Sequence, residues 1–170
     1  MIEMIVMGIA LDTRTGSPIV VLNDLENRRA LPIWIGSVEA SAIIRKIENI
    51  PSSRPLTHDL FLNMAEAAEY KITKIEINNV EEQTYFAVVF MYNEKLNKEL
   101  QIDSRPSDAI AIALRADVPI YVTENVLAMG VISTDIEKDE QEAQEFKNFI
   151  KDIKPSDFEK LLKKNFESDQ

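Results

Sequence analysis

Apolar and polar residues alternate with a period of two over several short stretches of the chain, which is typical of strands that bury one face. The first three stretches follow one another with tight turns between them, and this favours an antiparallel meander. Three more stretches lie in the middle of the chain, and a short one follows them. The predicted strands cover residues 3–12, 18–23, 30–36, 74–80, 83–92, 98–103 and 119–122.

A period close to 3.6 residues replaces the strand pattern elsewhere and predicts three helices. These helices cover residues 37–50, 57–70 and 106–116. Ser37 and Thr57 are residue types that cap helices, so we expect the first two helices to be capped by them. The third helix is apolar almost all round, which predicts a central, buried position.

Together these elements predict an α+β fold. Its core is expected to be an antiparallel or mixed β-sheet, arranged as a meander with barrel-like closure as one option, with about three helices packed against it. Beyond residue 134 the sequence becomes acidic and helical in pattern. We therefore predict one domain over residues 1–134 and an acidic helical C-terminal extension over residues 135–170.

The composition excludes several kinds of site. The chain has no cysteine and one histidine, which rules out disulfides, thiolate zinc sites and multi-histidine metal centres. Its four glycines leave no Gly-rich phosphate loop. The net charge of -10 argues against broad electrostatic adhesion to nucleic acid or to an anionic membrane. No apolar run approaches the ~18–20 residues of a membrane span, and we expect a cytoplasmic protein.

Two corners of similar sequence precede the second and third predicted helices. They are residues 53–55 (SRP) and residues 103–108 (DSRPSD). Proline suits the first position of a helix and disfavours a helical conformation in the residue before it, so we expect Arg105 to cap a helix that begins at Pro106. Asp108 then lies in the first turn, where the helix dipole stabilises a carboxylate by roughly 0.3–1 kcal/mol.

If the two corners face each other, they would form a site for phosphoryl chemistry. Carboxylates with open water positions suit Mg²⁺ or Mn²⁺, arginines stabilise phosphoryl oxygens, and a histidine is a candidate general base. The three aspartates would hold the cation, the histidine would act as base and the arginines would clamp phosphate. The residues concerned are His58, Asp59, Asp103, Asp108, Arg54, Arg105 and, as a further carboxylate, Glu39.

A purely structural interpretation of the same residues stays open. First-turn aspartates are common as capping residues, and a histidine beside a helix start is often a hydrogen-bonding surface residue. The arginines could instead form ion pairs with Glu39, Asp59 or Asp103 inside a corner or a dimer interface. The chain would then be a non-catalytic oligomeric module with an interaction or regulatory role. A binder of small phosphorylated ligands is a third possibility.

Four motifs in this chain resemble those of the bifunctional nuclease family. They are LPIWIG at residues 31–36, Glu39, RPLTHDL at residues 54–60 and IDSRPSDAIAIAL at residues 102–114. The resemblance implies an α+β fold that forms a dimer or higher oligomer, and nuclease activity on both RNA and DNA. By motif, it also implies a set of site residues: Glu39, Arg54, His58, Asp59, Asp103, Arg105, Ser107 and Asp108.

We therefore expect a nuclease that hydrolyses phosphodiester bonds of RNA or DNA, with a divalent cation, Mg²⁺ or Mn²⁺, as its cofactor. Because the protein is acidic, its nucleic-acid substrate would be bound through local contacts only. We also expect a homodimer or higher homo-oligomer and no membrane partner.

Overall fold

The computed structural model describes residues 1–130, 132 and 133. This part of the chain contains eight strands and four helices. The strands are β1 (Ile2–Leu11), β2 (Pro18–Asp24), β3 (Arg29–Trp34), β4 (Lys71–Glu81), β5 (Thr84–Asn93), β6 (Lys98–Ser104), β7 (Ile120–Val122) and β8 (Ile132–Ser133). The helices are α1 (Ser37–Ile47), α2 (Thr57–Ala67), α3 (Pro106–Ala116) and α4 (Glu124–Gly130).

The eight strands form one sheet in the order β6-β5-β4-β7-β1-β2-β3-β8. Two antiparallel units, β1 to β3 with β8 and β4 to β6, lie on either side of the short strand β7. β7 joins them because it pairs antiparallel with β1 and parallel with β4. The predicted α+β fold with an antiparallel or mixed sheet is therefore confirmed.

Strand alternation gives the sheet two different faces. On β2, Val20 and Leu22 belong to the main hydrophobic core, which also contains the buried residues of the helices. Their neighbours Ile19 and Val21 point to the opposite face, where they form a small separate cluster with Ala10 and Ala30. Successive side chains of a strand point to opposite faces, so α1, α2 and α3 share the face that Val20 and Leu22 occupy.

Helix α3 lies at the centre of the helical layer and contacts both α1 and α2. Its buried residues run from Pro106 to Ala113, and three of them are small alanines that allow close approach of neighbouring elements. The predicted central position of this helix is confirmed. Its start is confirmed as well, since Arg105 is the extended residue before a helix that begins at Pro106.

The structure corrects two predicted caps and the end of the strand pattern. Gly36 and Leu56, not Ser37 and Thr57, are the residues that precede α1 and α2. The strand predicted at residues 119–122 is not the last one, because α4 and β8 follow it. The predicted helical extension at residues 135–170 lies outside the described residues. No helix in the described part of the chain is long and apolar enough to cross a membrane.

We expect Ile110→Ala to lower the free energy of unfolding by about 2–5 kcal/mol, because Ile110 is fully buried in α3 and its loss leaves a cavity in the core. Urea unfolding at neutral pH measures this loss. Leu96→Ala is the matched control, since Leu96 is exposed and its replacement should cost less than about 0.5 kcal/mol. Equal losses in the two variants would contradict the central position of α3.

Candidate functional site

The first turns of α1, α2 and α3 meet through a cluster of four charged or titratable side chains. Glu39 lies in the first turn of α1, His58 in that of α2 and Asp108 in that of α3. Arg105, the residue before α3, connects them. The starts of three helices therefore contribute to one polar site, which we call the helix-start cluster.

Three short contacts define the helix-start cluster. His58 Nε2 lies 3.0 Å from Asp108 Oδ1. Arg105 donates from Nε to Asp108 Oδ2 at 2.7 Å and from Nη1 to Glu39 Oε1 at 2.7 Å. The histidine side chain is only 13% exposed, whereas the arginine is 65% exposed. The cluster thus has a sheltered end at the histidine and an end at Arg105 that solvent reaches.

Asp108 is held in its ionised form. Burial acts to raise the pKa of Asp108, but hydrogen bonds from Arg105 and His58 outweigh it, and the pKa lies below its ordinary value of 3.8. Both carboxylate oxygens are used by these two contacts. Since a carboxylate can only accept hydrogen bonds, His58 carries a proton on Nε2 and, in its neutral form, has a lone pair on Nδ1.

Glycine at position 36 makes room for the Glu39 carboxylate. A Cβ atom added to Gly36 would lie only 2.1 Å from Glu39 Oε2, well inside any real contact distance. Any side chain here would force the Glu39 carboxylate to shift from the position it now occupies. Gly36 is the last residue of the LPIWIG motif. Its φ of -77° is one that any residue can adopt, so glycine is needed here for the space it leaves and not for a left-handed backbone.

A second polar bridge joins the same three helices further along α3. Arg115 donates from Nε to Asp59 Oδ1 at 2.9 Å, from Nη1 to the Ala111 carbonyl at 2.9 Å and from Nη2 to the Ala42 carbonyl at 3.0 Å. Its side chain is only 7% exposed. A guanidinium buried to this extent needs such acceptors, because a buried charge is costly unless it is paired and hydrogen-bonded.

Asp59 serves this second bridge and also caps its own helix. Its Oδ2 accepts the Leu56 N–H at 2.8 Å. Burial acts to raise the pKa of Asp59, but this hydrogen bond and the Arg115 guanidinium outweigh it, so the pKa is lowered. His58 and Asp59 are adjacent in sequence yet contact different partners, because successive helical residues point about 100° apart.

Not all the predicted site residues meet in the helix-start cluster. The structure places Glu39, His58, Arg105 and Asp108 there, and it places Asp59 in the second bridge. Three others make no side-chain hydrogen bond or ion pair to the cluster within the described residues. Of these, Asp103 is exposed at the end of β6, Ser107 is buried in α3, and Arg54 is exposed in the loop before α2.

The predicted metal ligands do not form a cation-binding group. Both oxygens of Asp108 contact His58 and Arg105, and both oxygens of Asp59 contact Arg115 and a backbone N–H. Among residues 1–130, 132 and 133, no three histidine, cysteine or acidic side chains are placed to hold a metal ion. The divalent cation therefore stays a prediction that these contacts do not support.

Arg115 is the principal residue that the sequence interpretation missed. It lies seven residues after Asp108, and two helical turns bring it back to the same face of α3. A single basic residue on a central helix that is apolar beyond its first turn is the signal that could have identified it, because such a residue needs an acidic partner nearby.

The family model and the named relatives that match this chain agree on one family. The model of the bifunctional nuclease domain matches residues 20–135, more than half of the chain. A Mycobacterium tuberculosis protein described as uncharacterized is 35% identical over 164 residues, covering 92% of this chain and 97% of that protein. Bifunctional nuclease 2 of Oryza sativa subsp. japonica is 31% identical over 93 residues, 54% of this chain and 29% of that protein. Bifunctional nuclease 1 of Arabidopsis thaliana is 27% identical over 113 residues, 61% of this chain and 35% of that protein.

We expect the contribution of Asp108 to the free energy of unfolding to decrease at acid pH. Its pKa is lowered by folding, so the contribution is complete above the ordinary value of 3.8 and is lost as the pH falls through the folded-state pKa. Asp108→Asn should therefore cost more stability at about pH 6 than at about pH 3, as measured by urea unfolding at both pH values.

Ser53→Ala is the control for this comparison, because it removes an exposed hydroxyl and no titratable group. Its difference from the wild type should be the same at both pH values. A constant difference for Asp108→Asn would show that the folded state does not favour the ionised carboxylate.

Proposed function

The chain belongs to the bifunctional nuclease family, and on that premise we propose that it hydrolyses phosphodiester bonds of nucleic acid at the helix-start cluster. The observation that carries the proposal is the 3.0 Å contact between His58 Nε2 and Asp108 Oδ1. It couples an imidazole, the side chain best suited to proton transfer near neutral pH, to a carboxylate that is held ionised.

In this proposal His58 moves the proton. Asp108 accepts the N–H at Nε2 and so fixes the tautomer, which gives Nδ1 the lone pair needed to take a proton from water. The water attacks phosphorus as the proton leaves, the bond from phosphorus to the leaving oxygen breaks, and that oxygen takes a proton from solvent while the imidazolium later releases its own to solvent. Asp108 also stabilises the imidazolium that forms, because its negative charge lies within hydrogen-bond distance of the ring.

Arg105 binds the substrate phosphate in this proposal. Its Nε and Nη1 are engaged by Asp108 and Glu39, which leaves Nη2 without a partner among the described residues. The two protein contacts hold the guanidinium in one orientation, so less conformational freedom is lost when a phosphate oxygen binds. Glu39 is thus a positioning residue in this proposal.

The charge of the cluster bears on the expected divalent cation. With a neutral histidine, the two carboxylates and one guanidinium leave a net charge of -1, which does not attract phosphate by itself. Magnesium or manganese would supply the positive charge and polarise a phosphoryl oxygen when bound. Since no described group of side chains forms a cation site, the requirement for metal is a prediction that the assay below tests.

We expect His58→Gln and Asp108→Asn to lower cleavage by about 10²–10⁴-fold, the usual contribution of general acid–base catalysis, while both variants remain folded under the assay conditions. The assay uses labelled single-stranded RNA and DNA with Mg²⁺, Mn²⁺ or EDTA, and compares proteins purified in parallel.

Asp103→Asn is the matched control, because Asp103 carries the same charge on the same corner but makes no contact with the cluster. It should retain wild-type activity if His58 and Asp108 act alone. Equal cleavage by all four proteins would trace the activity to a contaminant and contradict the proposal. Undiminished cleavage in EDTA would overturn the metal requirement but not the role of the histidine.

A non-catalytic oligomeric module is the second candidate function, and two exposed apolar side chains on the sheet face opposite the helices favour it. Ile5 of β1 and Trp34 of β3 are exposed on the face opposite the helices, next to the small apolar cluster of that face. Exposed apolar side chains on one face of a sheet can mark a contact surface. In this proposal a second copy of the chain covers them, which gives the expected homodimer.

We expect Ile5→Lys to weaken self-association by at least about tenfold, because a buried lysine without a partner is costly at an interface. Sedimentation velocity over a range of concentrations measures the effect. Leu25→Lys is the control, since Leu25 is also exposed, more so than Ile5, but lies in the turn after β2. A wild-type protein that sediments as a monomer at all concentrations would exclude the dimer.

A further inference from the structure

A cavity of about 590 Å³ lies beside the helix-start cluster but does not include it. It is open to solvent on one side and is bordered by the second half of α1, the loop at residues 48–56, the start of α2 and the end of α3. Small-molecule sites usually have volumes of about 300–1,000 Å³, so this cavity can hold a ligand larger than a simple anion.

The wall of the cavity is cationic, in contrast to the rest of the molecule. Four basic side chains line it (Arg45, Lys46, Arg54 and Arg115), against one carboxylate, that of Asp59. The chain as a whole has a net charge of -10. A cluster of positive charge attracts anions locally, even though the surrounding acidic surface repels them.

Three of the four cations have no ion-pair partner among residues 1–130, 132 and 133. Arg115 is paired with Asp59. Arg45, Lys46 and Arg54, by contrast, form no ion pair with any described residue. Arg45 donates from Nη2 to the Pro51 carbonyl, and its Nε is buried with no acceptor in the part of the chain that the structure describes. A buried donor without an acceptor is uncommon and calls for an explanation.

The remaining lining suits a ligand with both a charged and an apolar part. The hydroxyls of Ser52 and Ser53 and the amide of Asn63 lie on the wall, and the apolar side chains of Leu56 and Leu62 lie among them. Ser52 Oγ donates to the Arg54 carbonyl at 2.7 Å. This hydrogen bond restrains the backbone of the loop that carries Arg54. Basic and hydroxyl groups recognise phosphate oxygens, whereas the leucines offer a surface for a ring.

We propose that this cavity binds a nucleotide through its terminal phosphate. Arg54 and Arg45 hold the phosphate oxygens through their terminal guanidinium nitrogens. The nucleoside occupies the remaining volume against Leu56 and Leu62. This inference does not depend on the proposed cleavage, because it rests on the cavity and its charges alone. The phosphate can belong to a free nucleotide or to the end of a nucleic-acid strand.

Isothermal titration of the full-length protein in EDTA tests the proposal, since the chelator removes free divalent cations and binding is read without turnover. The probes are AMP, adenosine, sulfate and a 5′-phosphorylated tetranucleotide. AMP should bind at least about tenfold more tightly than adenosine or sulfate, because only AMP offers both the phosphate and the ring. A tetranucleotide that binds more tightly than AMP would identify a strand end as the ligand, and the reverse order would identify a free nucleotide.

Arg54→Gln should weaken AMP binding by about tenfold or more, because it removes a charged hydrogen-bond donor from the phosphate. Arg14→Gln makes the same change of charge at a side chain that is 87% exposed and does not line the cavity, so it should leave the affinity within about twofold. Both arginines are exposed, so neither variant should unfold.

Equal affinity for AMP, adenosine and sulfate would overturn the proposal, as would the absence of AMP binding at millimolar concentration. Equal weakening by the two arginine variants would show that binding follows the overall charge of the protein and would overturn it too. Loss of cleavage in His58→Gln with normal AMP binding would support a cavity that is independent of the helix-start cluster.

Discussion

The burial of α3 is the constraint on which the arrangement of the other polar groups depends. Its residues from Pro106 to Ala113 are enclosed, apart from one side of Asp108, so this helix can present charge only in its first turn and at Arg115. A charge in either place must find partners on α1 and α2, since the cost of burying it alone is several kcal/mol. The helix-start cluster and the Asp59 to Arg115 bridge are the two results.

Much of the fold could be predicted because local rules and tertiary packing agree. Pro106 determines where α3 begins, and alternation identifies the strands to within a few residues. The caps of α1 and α2 were predicted wrongly because a capping residue type is a weak signal when the helix N-termini are satisfied by other means. At α2, Asp59 from inside the helix accepts the Leu56 N–H.

The site was predicted in part, and the missing part is tertiary. His58 and Asp108 are 50 positions apart, and the sequence could say only that each lies in a first turn. Asp59 was predicted as a metal ligand because its residue type allows it, but the choice between a cation and Arg115 depends on how α2 packs against α3. Arg54 was predicted beside His58 and Asp108 and instead lines the neighbouring cavity. Sequence patterns carry no information about such distances.

The adjacency of His58 and Asp59 has a mechanical consequence. One backbone segment holds a side chain of the helix-start cluster and a side chain of the cavity wall, so a small rotation of this turn must displace both. If a ligand at either place moves the turn, it therefore changes the free energy of binding at the other place. By thermodynamic reciprocity, the size of that effect is the same in both directions. Two neighbouring positions in one helical turn therefore connect the helix-start cluster mechanically to the wall of the cavity.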